Sequence, residues 1–128
     1  MSLRSPLGRV LGRGSAKEGV HHWWLQRLTS IALVPLSIGF VAELLTLPAL
    51  DYATLVARMR QSGTALGLIL FVLVAARHSQ LGVRDVIEDY VHADGLKTLA
   101  LVLVDCTHLL IAAAAVFAVL KVALGGRV

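Results

Sequence analysis

The sequence predicts an all-α membrane protein built on three transmembrane helices. Three observations predict it. The chain is 57% hydrophobic with a mean hydropathy of +0.78, well above the roughly half-apolar composition of soluble domains. Charged residues make up only 16%, against roughly 25% in a soluble chain. The apolar residues also gather into three runs of about 20 residues or more, the length that lets a helix cross the hydrocarbon layer. The 128 residues leave room for one domain.

The elements follow in order. Residues 1–18 are polar and glycine-rich and form a leading segment. The remainder, 19–128, is a three-helix domain. Its first span covers about 24–47. The apolar run is longer than a signal-peptide core of about 7–15 residues and two more spans follow, so it is read as a retained helix. Leu47-Pro48 stops it. Ser62-Gly63 opens the second span, about 63–83, whose helix continues to about 90. Ala93-Asp94-Gly95 separates it from the third span, about 96–124. Pro35 is expected to kink the first helix, and Ala112 to Ala115 give the third a small-residue surface for close packing.

The net charge of +4 and pI near 9.8 do not imply a nucleic-acid partner, because the cations flank apolar runs as they do in membrane proteins. Arg4, Arg9, Arg13, Lys17, Arg84 and Lys97 fall on one side of a three-span topology. Arg58, Arg60, Lys121 and Arg127 fall on the other. The bias sets the N-terminus in the cytoplasm; in a mitochondrion that side would be the matrix. The single cysteine, Cys106, excludes an intrachain disulfide and a multi-thiolate metal site. It is expected to be a small buried hydrophobe.

The polar residues inside the spans are the candidates for function, since ionisable groups in lipid are costly. On a helix, His78, Gly82, Asp85 and Asp89 share one face. The stripe runs from an intramembrane imidazole to carboxylates at the membrane edge. Two readings fit it. In one, His78 ligates a haem iron and Gly82 lets a flat macrocycle approach. In the other, His78 is neutral, bonded to a neighbouring helix, and Gly82 is a packing residue. His108 lies about 10 Å deeper than His78, so a haem held by both within this chain is not expected, and a second ligand must come from a partner.

Asp89 and Tyr90 lie at the interface, where the tyrosine either anchors the helix or donates to a quinone carbonyl. Arg27, just inside the first span, either snorkels to headgroups or binds a carboxylate such as a haem propionate. His21 and His22, beside Trp23 and Trp24, are expected to be interfacial. Glu43 sits where a carboxylate reaches water at the far end. Asp105 and His108, three residues apart, share a face and can bond each other, either as a functional intramembrane pair or as interhelical glue.

The stretches GVHHWWLQRLTSIAL and RHSQLGVRDVIEDYV together resemble the smaller of the two hydrophobic membrane anchors of succinate dehydrogenase. The pattern H-x3-G-x6-D-Y is met by His78, Gly82, Asp89 and Tyr90, and the first helix carries Arg27, Thr29 and Ser30. The resemblance covers the whole chain and implies three helices forming half of a heterodimeric haem-binding bundle. It implies His78 as an axial ligand of haem b, with the second ligand from the larger hydrophobic anchor. It also implies Arg27 near the haem propionates, His21 near the same membrane face, and Tyr90 with Asp89 at a ubiquinone site.

The partners so implied are the second hydrophobic anchor subunit, an iron–sulfur subunit, a flavoprotein subunit and membrane lipid, with no nucleic acid. The location implied is the bacterial inner membrane in preference to the mitochondrial one. The chain would not be catalytic by itself. The alternatives are the anchor of a fumarate reductase and a cofactor-free membrane scaffold.

Overall fold

The computed structural model describes residues 17–125, with side chains from Val20 onward. Arg4, Arg9, Arg13 and Arg127, which enter the charge count, lie outside the described residues, as does nearly all of the expected polar segment. Four helices follow one another: α1 (Lys17–Leu45), α2 (Tyr52–Met59), α3 (Ser62–Tyr90) and α4 (Asp94–Ala123). Three are long and apolar enough to span a membrane: Val20–Leu45 within α1, all of α3 and all of α4. At 1.5 Å per residue α3 is about 44 Å long, so it outruns a hydrocarbon layer of about 30 Å and carries the residues before Tyr90 out to the interface.

The short α2 was not expected. Its start is a capping event: the Asp51 carboxylate accepts from the Thr54 N–H at 3.2 Å, satisfying a donor that a helix start leaves open. The same hydrogen bonds from Thr54 hold the Asp51 carboxyl below its ordinary range. Tyr52, Leu55, Val56 and Met59 recur at helical spacing; of these, Leu55, Val56 and Met59 are half-buried against the neighbouring helices while Tyr52 stays exposed. At the other end of the chain, Gly125 adopts a φ of +80° and its N–H reaches the Val122 carbonyl at 3.1 Å. That left-handed stop ends α4 at little steric cost only because the residue is glycine.

The helices form a layer rather than a closed bundle. The middle position belongs to α3, which packs on α1 on one side and on α4 on the other, and α1 and α4 do not touch among the described residues. Burial follows that order. Leu81, central on α3, is only 1% exposed, and Ala65 and Val119 are the other buried apolar residues among those described. Most of α1 and α4 therefore faces outward. Cys106 is exposed on α4, contrary to the expectation of burial: α4 has a long-helix partner on only one side, and Cys106 is turned away from it.

Phe40 of α1 stacks on Phe71 of α3 with ring centroids 5.2 Å apart and planes 7° from parallel. Beside this stack a cavity of about 510 Å³ opens between α1, α2 and α3, bordered by Gly39, Gly63 and Gly67. At its rim Glu43 meets Arg58 at 3.5 Å, which ties α2 to the far end of α1.

Candidate functional site

The polar residues of the expected stripe are gathered where α1 and α3 run antiparallel. Going up the seam, Thr29 Oγ1 lies 3.0 Å from His78 Nδ1, Gln26 lies opposite Gly82, and His22 Nδ1 lies 3.4 Å from Asp85 Oδ1. The steps of three and four residues on both helices keep these pairs on facing surfaces. Thr29 also reaches back to the Leu25 and Gln26 carbonyls at 2.8 and 3.0 Å, and Ser30 to the Gln26 carbonyl at 2.8 Å. This local bonding pins both hydroxyls in the groove of α1.

His78 is half-buried. One of its nitrogens is engaged by a neighbouring helix, as the non-haem reading expects. The other, Nε2, has no hydrogen-bond partner among the described residues. Two polar atoms further along the seam, His22 Nε2 and Gln26 Oε1, are buried and unpartnered among the described residues. Buried groups of that kind are uncommon. The residues would suit a metal-bearing group held at Nε2, since the opposite nitrogen of the imidazole is already fixed.

A Cβ built at Gly82 meets the Gln26 amide nitrogen at 3.7 Å, an ordinary van der Waals contact, so this chain's own glutamine faces the glycine across the seam without crowding it.

The remaining predicted residues lie apart from the seam. Arg27 follows Gln26 and is rotated about 100° from it; it is exposed, with its guanidinium 5.0 Å from the Trp23 ring centroid, a cation–π contact. It forms no ion pair with the described residues. His21 is exposed. Asp89 and Tyr90 end α3, and Tyr90 is 79% exposed. The described residues therefore build no closed pocket around the tyrosine. The turn after it is held by Lys97, whose Nζ donates to the Glu88 carbonyl at 2.8 Å, as suits the negative end of a helix.

Asp105 and His108 do not bond each other. Asp105 takes Gln80 Nε2 at 2.8 Å and Arg84 Nη1 at 2.6 Å, and Arg77 donates to Gln80 Oε1 at 2.6 Å. His108 Nδ1 contacts the Val104 carbonyl at 2.9 Å and its Nε2 contacts Ser79 Oγ at 3.2 Å. Both nitrogens of His108 are spoken for, and both residues fasten α4 to α3. Sequence reasoning missed Gln26, Gln80 and the His22–Asp85 pair. The seven-residue spacing of His78 and Asp85, matched by that of His22 and Thr29, was the signal that could have paired the helices.

Residues 1–120 match the family described as succinate dehydrogenase/fumarate reductase transmembrane subunit. Among curated proteins, the succinate dehydrogenase hydrophobic membrane anchor subunit of Rickettsia bellii is 30% identical over 117 residues, covering 91% of this chain and 94% of that protein. The protein of the same description from Paracoccus denitrificans is 32% identical over 128 residues, covering 100% and 98%. That from Rickettsia conorii is 32% identical over 104 residues, covering 80% and 82%.

Proposed function

The chain belongs to the succinate dehydrogenase/fumarate reductase transmembrane subunit family, and from that premise we propose that it holds one side of a haem b and one wall of a ubiquinone-reduction site. It is a multi-pass membrane anchor subunit of succinate dehydrogenase. Its partners in this reading are a second, larger hydrophobic anchor, an iron–sulfur subunit and a flavoprotein subunit, in the bacterial inner membrane with the N-terminus cytoplasmic.

The observation that carries the reading is His78 Nε2, a nitrogen within the membrane-spanning length of α3 that no described residue satisfies while Nδ1 is held by Thr29. In that position Nε2 would hold the iron, and a histidine of the second anchor would complete the ligation. Arg27, whose guanidinium has no carboxylate partner among the described residues, would meet a propionate, with His21 near the same face. When bound, haem b supplies a one-electron redox centre.

At the end of α3, the Tyr90 hydroxyl donates a hydrogen bond to a quinone carbonyl, and Asp89 beside it handles the proton that accompanies reduction. The exposure of Tyr90 supports a pocket completed by the other proteins of the complex. Succinate oxidation itself belongs to the flavoprotein, and the anchor orients and holds.

The purified complex of all four chains is expected to show a low-spin, bis-imidazole haem at about one per flavin. A colourless complex beyond flavin and iron–sulfur absorption contradicts the reading in favour of a cofactor-free scaffold. Preferential turnover of fumarate over succinate would favour the fumarate-reductase alternative.

A further inference from the structure

The bond between Thr29 and His78 has a direction, and the direction selects one tautomer. A threonine hydroxyl has a single proton. Here two carbonyls of the same helix, those of Leu25 and Gln26, lie 2.8 and 3.0 Å from Oγ1. With the proton turned into that groove, Oγ1 faces His78 Nδ1 at 3.0 Å as an acceptor, so Nδ1 carries the ring proton. The opposite tautomer puts N–H at Nε2, where no described residue accepts it. In an apolar layer an unpaired donor of that kind is costly. The protonation of Nδ1 leaves the lone pair of a neutral imidazole at Nε2.

We infer that Thr29 is a positioning residue for His78: its hydroxyl accepts the Nδ1 proton, fixes the ring's rotation and tautomer, and makes Nε2 a better donor to a metal. The inference rests on the haem reading above, because a ligand needs its lone pair at Nε2. An acceptor at Nδ1–H increases the basicity of the imidazole. More basic ligation favours the oxidised metal, so the residue lowers the reduction potential of the group bound there. Ser30, one residue on, bonds only the Gln26 carbonyl and is the internal control.

The test uses the intact complex of all four chains carrying Thr29→Val, Thr29→Ser, Ser30→Ala or His78→Ala, with haem per flavin, haem midpoint potential and low-spin electron paramagnetic resonance as readouts. Thr29→Val keeps the shape and removes the acceptor. Its expected result is a raised midpoint potential with altered low-spin g-values, or loss of haem. Thr29→Ser is expected to restore wild-type behaviour, and Ser30→Ala to leave the potential unchanged.

A Thr29→Val complex with wild-type potential and spectrum overturns the inference. So does a defect that serine does not rescue, since that marks a packing role. If His78→Ala loses haem in that same series, the haem reading survives without Thr29. If His78→Ala keeps its haem, both fall.

Discussion

The guanidinium of Arg84 on α3 lies 2.6 Å from the carboxylate of Asp105 on α4. The other oxygen of that carboxylate is taken by Gln80, and Gln80 is in turn held by Arg77. Four polar side chains thus satisfy one another across two helices in a region where an isolated charge is expensive. Together with the His108–Ser79 contact, this network helps fix α4 to α3, and among the described residues α4 touches no other long helix.

Breaking that network at its centre leaves a cation without its partner. Asp105→Ala is expected to destabilise the anchor by about 1–3 kcal/mol, less than the roughly 3–5 kcal/mol of breaking a fully buried pair, because both side chains are partly exposed. Thermal denaturation of the detergent-solubilised complex measures it. The double variant Arg84→Ala/Asp105→Ala should cost less than the two single changes added together. Simple additivity would mean the two residues are not coupled.

Packing at the middle helix sets a second expectation. Leu81 is the most buried residue described. In lipid, the transfer part of a leucine-to-alanine change largely disappears, because the surroundings are apolar either way, and the cavity part remains. Leu81→Ala should therefore cost about 1–2 kcal/mol, read as a lowered midpoint of thermal denaturation with haem per flavin retained. Leu109→Ala, at an exposed position on α4, should change neither. Equal effects at the two sites would contradict the placement of α3 at the centre.

Much of this architecture could be read from the sequence, and the boundary of what could be read is physical. The three spans follow from hydrophobic length, which depends on the bilayer and not on neighbours. The helix α2 was missed because the loop between spans was read for charge. Asp51 followed by apolar residues at 52, 55, 56 and 59 carries a helix signal of its own. The stripe of His78, Gly82 and Asp85 was legible from the helical repeat. Its partners were harder to read, since pairing Thr29, Gln26 and His22 with it requires the rotation of α1 about its axis, for which the matched seven-residue spacings of His22–Thr29 and His78–Asp85 were the one cue. For the same reason the direct Asp105–His108 bond could not be told from the alternative that both fasten helices, and it is the alternative that holds: each reaches across to α3.

The exposed end of α3 gives a kinetic prediction. Tyr90→Phe removes one hydroxyl and is expected to slow quinone reduction about tenfold, the equivalent of a hydrogen bond worth about 1.4 kcal/mol in the transition state. Succinate oxidation with a water-soluble artificial acceptor should keep its wild-type rate. Unchanged quinone turnover would remove Tyr90 from the site.

Orientation is testable without the partners' chemistry. A periplasm-dependent reporter enzyme fused after Val128 should be active, and the same reporter placed before Met1 should be silent, since the cation bias sets the N-terminus in the cytoplasm. The reverse pattern would put Tyr90 on the wrong side to meet the iron–sulfur protein.

The most direct measurement is the haem content of the purified four-chain complex with His78→Ala, taken from its reduced-minus-oxidised spectrum against flavin. The expected result is loss or marked weakening of the haem signal, with succinate oxidation by artificial acceptors retained. A His78→Ala complex holding a full complement of low-spin haem with unaltered spectrum would contradict the assignment of His78 as its ligand.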